Sequence, residues 1–322
     1  MRTTSRPPRL LVVGLSPAWQ RTYRVDSLRP GELIRSSSVA AFASGKATNA
    51  ARHAANRLAA NWPAANANAT DGGHVTLVTP LGGLAGDLFR QDIVSREAFA
   101  LAATQSASAT RTCTSILEAD GRATELIENA SPLASDEQAA ILEAISVAPH
   151  EAIAICGSLP PGCPDDFLAA CLDRSPASVR LVDAAGPPLL AALAAGPSLA
   201  KPNADELART VGRPLRSDAE IEAAARGLQR RHAVDMLVTN GSARTLLLCN
   251  GASAWLAPPP PRQIVSAIGA GDAIAGSLLA DLASGVPTAA AADRALSYAA
   301  AYLEVPPPAL PSLSNVSPRG CG

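Results

Sequence analysis

Charge is scarce in this chain of 322 residues: charged side chains make up 17% of it, and the formal net charge is -1. That balance leaves no electrostatic case for a nucleic acid or an anionic membrane as partner, so a small molecule is expected. Cysteines are few and scattered. The six of them, Cys113, Cys156, Cys163, Cys171, Cys249 and Cys321, form no CxxC pair, which argues against a zinc site and, in a chain this long, against a disulfide scaffold. Reduced thiols and a cytoplasmic location are expected. Long apolar runs are missing too. Pro, Asp and Arg interrupt the Ala-rich stretches short of the roughly 20 apolar residues that span a bilayer. The early run "LLVVGL" is too short for a secretory h-region and ends in Ser-Pro, so it reads as a first buried strand.

What is plentiful is apolar sequence, 48% of the chain, arranged as short Val/Ile/Leu runs between Ala/Leu helical segments. "LLVVGL", "VTLVTPL", "EAIAICG", "VRLVDAA", "SLAKPN" and "DMLVTNG" each end in a turn residue, and several lead into helical patterns such as "ADELARTVG". Strands apolar on both faces and separated by helices predict an α/β fold with a mostly parallel sheet covered on both sides. Ligands in such sheets bind at the carboxyl ends of the strands. Two segments break this rhythm. "RTYRVDSLRPGELIRSSSVAAFA" and "TRTCTSILEADGRATELIEN" alternate polar and apolar residues about Arg29-Pro30-Gly31 and Asp120-Gly121, and predict two hairpins that form a small second layer. Asn61 to Gly73 reads as a low-complexity surface loop, and 303–322 as an irregular Pro-rich tail.

The stretch with the most chemical content is "SAIGAGDAIAGSLLADLASG", beginning at Ser266. Gly269, Ala270 and Gly271 let the backbone approach a ligand, and the helix that follows directs free N–H groups and its positive end at the same place. That is an anion hole. Asp272 at the helix start can serve as an N-cap, and it can equally serve as a general base where a hydroxyl meets a phosphoryl group.

"AIGAGDAIAGSLLA" resembles the carboxy-terminal signature of the ribokinase-like (PfkB-type) carbohydrate kinases, and "FASGKATNAARHAA" resembles their amino-terminal Gly-rich signature. "CGSLPPG", "LVDAAG", "KPNADEL" and "VTNGSARTLLL" resemble further family segments in the expected order, from about Leu11 to Tyr302. "LSPAWQRTYRVDSLRPGELIR" and "TELIENASP" are most similar to the phosphofructokinase and tagatose-6-phosphate kinase branch. The resemblance implies a three-layer ribokinase-like fold in a single kinase domain, 1–322, with a small β-sheet lid from about 20–44 and 108–130. It implies ATP-dependent phosphoryl transfer to a hydroxyl of a sugar phosphate, with fructose 1-phosphate as the first expectation. Fructose 6-phosphate, tagatose 6-phosphate, another sugar or a nucleoside are alternatives, as is a regulatory sugar-binding protein without turnover.

Residue by residue, the resemblance makes Asp272 the base and assigns Gly269, Ala270 and Gly271 to the transferring phosphoryl group. Gln20, Gly45, Lys46, Asn49, Arg111 and Ser158 fall on the sugar side, and Lys201, Asn203, Thr239, Asn240 and Gly241 on the ATP side. Asn203 and Glu206 would help to hold Mg²⁺ through water, although "KPNADEL" alone also reads as a strand end and a helix cap. A homodimer through the lid is implied as well. Three positions depart from the family pattern: Gln20 stands where an Asp is usual, and Ala47 and Ala130 where glycines are usual. If position 47 needs a positive φ, alanine there costs about 1 kcal/mol or more.

Overall fold

The computed structural model describes residues 6–62, 73–241 and 244–311. The expected loop from Asn61 to Gly73 and the tail beyond 311 therefore lie almost wholly outside the described residues. Nine strands form the main sheet: β1 (Leu10–Val13), β4 (Val75–Leu81), β5 (Ala100–Gln105), β8 (Ala152–Cys156), β9 (Val179–Asp183), β10 (Leu199–Ala200), β11 (Asp235–Asn240), β12 (Arg244–Cys249) and β13 (Ala252–Leu256). Their order is β13-β12-β11-β10-β9-β8-β1-β4-β5. From β5 to β11 every pairing is parallel, and β11, β12 and β13 close the far side as antiparallel neighbours. The chain moves to one side of β1 and later continues on the other. The crevice at the carboxyl ends of β1 and β8 is thus a topological switch point.

Alternate residues of β1 explain its unbroken apolar run. Leu10 and Val12 join one buried cluster and Leu11 and Val13 the other, so neither face meets water. The first cluster is closed by helices α1 (Lys46–Asn61), α2 (Gly83–Arg96), α8 (Ala270–Ala283) and α9 (Thr288–Tyr302). The second is closed by α3 (Ser135–Val147), α4 (Phe167–Asp173), α5 (Gly186–Ala194), α6 (Ala204–Val211) and α7 (Asp218–His232). None of the described helices is long and apolar enough to cross a membrane.

The two irregular segments form one separate four-stranded sheet, ordered β3-β2-β6-β7. Its strands are β2 (Ala18–Val25), β3 (Ser38–Ser44), β6 (Arg111–Glu118) and β7 (Ala123–Ile127). A parallel pairing of β2 with β6 joins the two antiparallel pairs. Asp120-Gly121 makes the tight turn of the second pair, with Gly121 at φ 91°. Arg29-Pro30-Gly31 instead lies within a long connection, 26–37, where Glu32 N donates to the Arg29 carbonyl.

Candidate active site

The site is assembled from strand ends and helix starts. β3 runs directly into α1, and Gly45 at the junction has φ 114°, a conformation an L side chain resists. Lys46 is the first residue of α1, and Asn49 follows one turn later. Ala47 has no positive φ; it lies in the helix, and Gly45 takes the left-handed position. The strain considered for an alanine at 47 is therefore absent. Its methyl instead faces the end of β1, where a Cβ on Gly14 would stand 2.2 Å from the Ala47 Cβ.

Helices α1 and α8 cross at Gly276, where a Cβ would come within 2.2 Å of the Ala50 carbonyl oxygen. This backbone-to-backbone approach brings the two helix starts together. Asn49 Nδ2 donates to Asp272 Oδ2 at 2.8 Å. Gly269, the residue before α8, is left-handed at φ 86°, and Tyr302 braces this turn by donating its hydroxyl to the Ile268 carbonyl at 3.1 Å. Asp272 is buried, which pushes its carboxyl up to about 6; the Asn49 bond opposes the rise, Asp183 adds to it, and Lys46 and Lys201 oppose it.

Asp183, the last residue of β9, is the hub that the sequence reading leaves without a role. Its two carboxylate oxygens meet Lys201 Nζ at 3.0 Å and Lys46 Nζ at 3.4 Å. Lys46 Nζ also meets Glu206 Oε1 at 2.5 Å. Burial works against the charge of Lys46, yet Asp183 and Glu206, with Asp272 beyond them, hold its pKa above the ordinary lysine range. One signal in the sequence could have found this hub. Lys46 and Lys201 are the only two lysines in the chain, although Lys and Arg together number 27.

Asn203 and Glu206 form a capping box at the start of α6. Asn203 Oδ1 accepts from Glu206 N and Glu206 Oε2 accepts from Asn203 N, both at 2.8 Å. Thr239, near the end of β11, pairs with Asn203 through an isolated parallel bridge. Asn240 turns away to Asp218, and Gly241 is exposed. Among the described residues no three His, Cys, Asp or Glu side chains cluster as a ready metal site. Asp183 and Glu206 nevertheless offer two buried carboxylates converging on one ammonium. Such a donor set suits a hard divalent cation that takes its remaining ligands from water and phosphate.

A cavity of about 480 Å³ opens at this switch point, lined by Gly45, Lys46, Arg111, Ser158, Glu206 and Arg209 among others. Arg111 donates to the carbonyls of Glu128 and Ser16, its Nε is buried without a partner, and it forms no ion pair among the described residues. Arg111 thus lines the cavity held by two carbonyls, with no carboxylate paired to it among the described residues. Gln20 and Asn49 line a separate small cleft with Ser115 and Tyr302, and Gln20 Nε2 donates to Ser115 Oγ at 3.0 Å. The sugar-side residues are accordingly divided between two spaces. Asp272 and the 269–271 turn line neither; Asn49 joins Asp272 to the small cleft through its hydrogen bond, and Lys46, on the cavity wall, lies within electrostatic reach of it.

A doubly covered parallel sheet with a buried acid at a glycine-bounded helix start, and paired lysines at the neighbouring strand ends, defines a sugar-kinase type of phosphotransferase. The chain belongs to the pfkB family of carbohydrate kinases, whose sequence model matches residues 8–313. It is 32% identical over 290 residues to a 1-phosphofructokinase of Xanthomonas campestris, covering 84% of this chain and 83% of that protein. A 1-phosphofructokinase of Rhodobacter capsulatus is 34% identical over 186 residues; there the alignment covers 56% of this chain and little more than half, 58%, of the relative. Among solved structures, phosphofructokinase-2 from Escherichia coli in complex with fructose-6-phosphate superposes with a TM-score of 0.81 at 23% identity, covering 96% of this chain and 97% of that one. Arabidopsis thaliana ribokinase complexed with ribose and ATP does so with a TM-score of 0.71 at 20% identity, covering 97% and 98%. At those identities the structures speak for the fold.

Proposed function

We propose that this carbohydrate kinase transfers the γ-phosphoryl group of ATP to a hydroxyl of a sugar phosphate, with fructose 1-phosphate as the acceptor. The observation that carries the reading is Asp272: a carboxylate buried at the amino end of α8, with its pKa raised toward neutrality and its orientation fixed by Asn49. A base so placed can take a hydroxyl proton near pH 7. The amides of Gly269, Ala270 and Gly271 at the helix start offset charge on the transferring group. Arg111, buried in part and without a carboxylate partner among the described residues, suits the phosphate already on the sugar, with Gly45, Lys46 and Ser158 around it in the same cavity. Lys201, Asn203, Thr239, Asn240 and Gly241 make the nucleotide side.

Asp183, Asn203 and Glu206 are the residues that would hold Mg²⁺, directly or through water. When bound, the ion neutralises phosphate charge. The small sheet, at about 20–44 and 108–130, acts as a lid on the single domain. Its exposed strand residues Val39, Leu126 and Ile127, with Leu33 on the connection between β2 and β3, support a homodimer formed through it, because bare apolar strands invite a partner. The balanced charge and the five described cysteines, all of them free thiols, fit a cytoplasmic enzyme.

A coupled ADP-release assay tests the proposal across fructose 1-phosphate, fructose 6-phosphate, tagatose 6-phosphate and the free sugars, with Asp272→Ala as control. Turnover is expected on fructose 1-phosphate above the others and is lost in the variant. Saturable sugar-phosphate binding with no ADP release from any acceptor overturns it in favour of a regulatory sugar-binding protein.

A further inference from the structure

The two lysines of the site are not equivalent. Lys201 is buried along its length and, among the described residues, ion-paired with Asp183 alone, with its backbone N–H fixed to the Val182 carbonyl. Lys46 reaches in from the first residue of α1, and its side chain is 39% exposed on the cavity wall while its ammonium sits between Asp183 and Glu206. Both of those carboxylates are buried, so each loses most of its hydration and needs a nearby cation. Asp272 is a third buried acid within electrostatic reach of the same ammonium. Three acids thus share two lysines, and only one of the lysines has a route outward.

A divalent cation drawn to Asp183 and Glu206 meets an obstacle. Lys46 already takes Glu206 Oε1 and approaches Asp183 Oδ1, and two cations a few ångströms apart in a partly dehydrated site repel strongly. A lysine suits a temporary tenant here: it is a compact charge on a flexible four-carbon stem, whereas an arginine fork locks onto carboxylates through paired bonds.

We propose that Lys46 is a tethered counter-ion that holds the divalent-cation position between Asp183 and Glu206, and yields it when the cation binds. The displaced ammonium turns into the cavity it already lines, where Arg111 and Ser158 stand, and joins the groups facing an anionic acceptor. Cation and acceptor binding are then coupled through one side chain, and by linkage each strengthens the other. The coupling to the acceptor rests on the kinase reading above; the exchange of Lys46 for the cation does not.

The test uses Mn²⁺ alone, with the full-length protein and no nucleotide, and free Mn²⁺ measured by electron paramagnetic resonance. Lys46→Met is expected to bind Mn²⁺ at least about tenfold more tightly than the natural protein, because a competing charge has gone. Lys46→Arg is expected to bind it no more tightly. Unchanged or weaker binding by Lys46→Met overturns the exchange. The natural protein supplies a second measurement that does not depend on the variant folding. With only two lysines, acylation by acetic anhydride followed by mass spectrometry reads Lys46 against Lys201 as internal reference. Mn²⁺ is expected to raise the Lys46 to Lys201 ratio several-fold, and a constant or falling ratio overturns the proposal. Neither readout involves turnover, so an enzyme that releases no ADP leaves this result standing, and a Lys46 blind to Mn²⁺ leaves the kinase reading standing.

Discussion

Gly14→Ala is a substitution of one methyl group that should unsettle the sugar end of the site. The new Cβ would lie 2.2 Å from the Ala47 Cβ, whereas two methyl carbons rest at about 3.5–4.0 Å. Something must open by well over an ångström, and neither partner is free to yield. Gly14 donates its N–H to the Val78 carbonyl at 3.0 Å, and its own carbonyl accepts from Thr79 Oγ1 at 2.6 Å. Ala47 is buried in the first turn of α1, between Lys46 and Thr48. Overpacking of this kind costs about 1–3 kcal/mol, and two anchored backbones place the value in the upper half of that range. At roughly 2 °C per kcal/mol for a domain of this size, the expected loss is about 4–6 °C in Tm.

The double variant Gly14→Ala, Ala47→Gly makes the reasoning refutable. Removing the Ala47 methyl restores the space, at a helix-propensity cost below about 1 kcal/mol in a first turn. Urea denaturation of the four proteins should give a favourable coupling energy of about 2 kcal/mol. The acceptor KM gives an independent reading: a displaced start of α1 carries Lys46 and Asn49 with it, so KM should rise in Gly14→Ala and recover in the double variant. Strict additivity, within about 0.5 kcal/mol, would show that the two positions do not share one space.

Asp272 has a folded-state pKa of about 6 against an ordinary 3.8, so between those values the folded chain keeps a proton that the unfolded chain has lost. Stability from this group therefore falls as pH rises from about 4 to 6 and stays reduced above that. Asp272→Asn should raise stability at pH 7.5 by about 2–3 kcal/mol, lose that advantage below pH 4, and abolish ADP release; a pH-independent gain would refute the electrostatic cause. In the natural enzyme, turnover should climb as pH passes through 6, since only the ionised carboxylate accepts a proton. Arg57 binds both oxygens of the fully buried Asp281 at 3.0 Å, so Arg57→Leu should cost about 3–5 kcal/mol in urea denaturation. Adding Asp281→Leu should recover much of it, and a loss under 1 kcal/mol in the single variant would contradict the geometry.

How much of this was legible in the sequence depended on whether a residue's neighbours in space were also its neighbours in the chain. β1, β4, β8, β9 and β11 are largely buried on both faces, and their short runs rich in Val, Ile and Leu mark them plainly. β5 and β13 lie at the two edges of the sheet and are built from "ALAATQ" and "ASAWL". Partial exposure and alanine leave them almost no strand signal. The capping box of Asn203 with Glu206 is a local pattern and reads correctly as a helix cap, whereas Asp272 is not the N-cap considered for it: Gly269 caps α8, Ala270 and Gly271 already belong to the helix, and Asp272 is its third residue.

Asp183 escaped because its meaning comes from Lys46 and Lys201, which reach it from two other segments, and from Glu206, which is joined to it through Lys46. Position 47 shows the same limit more sharply. Read along the chain, alanine in a glycine-rich turn suggests strain and loss of function. In space, the positive φ belongs to Gly45, and the Ala47 methyl occupies room left by a glycine at the end of β1. A departure from a family pattern therefore carries no sign of its own: what the substitution costs is set by the atom it faces, and here that atom lies 33 positions earlier, where Gly14 has no side chain to oppose it.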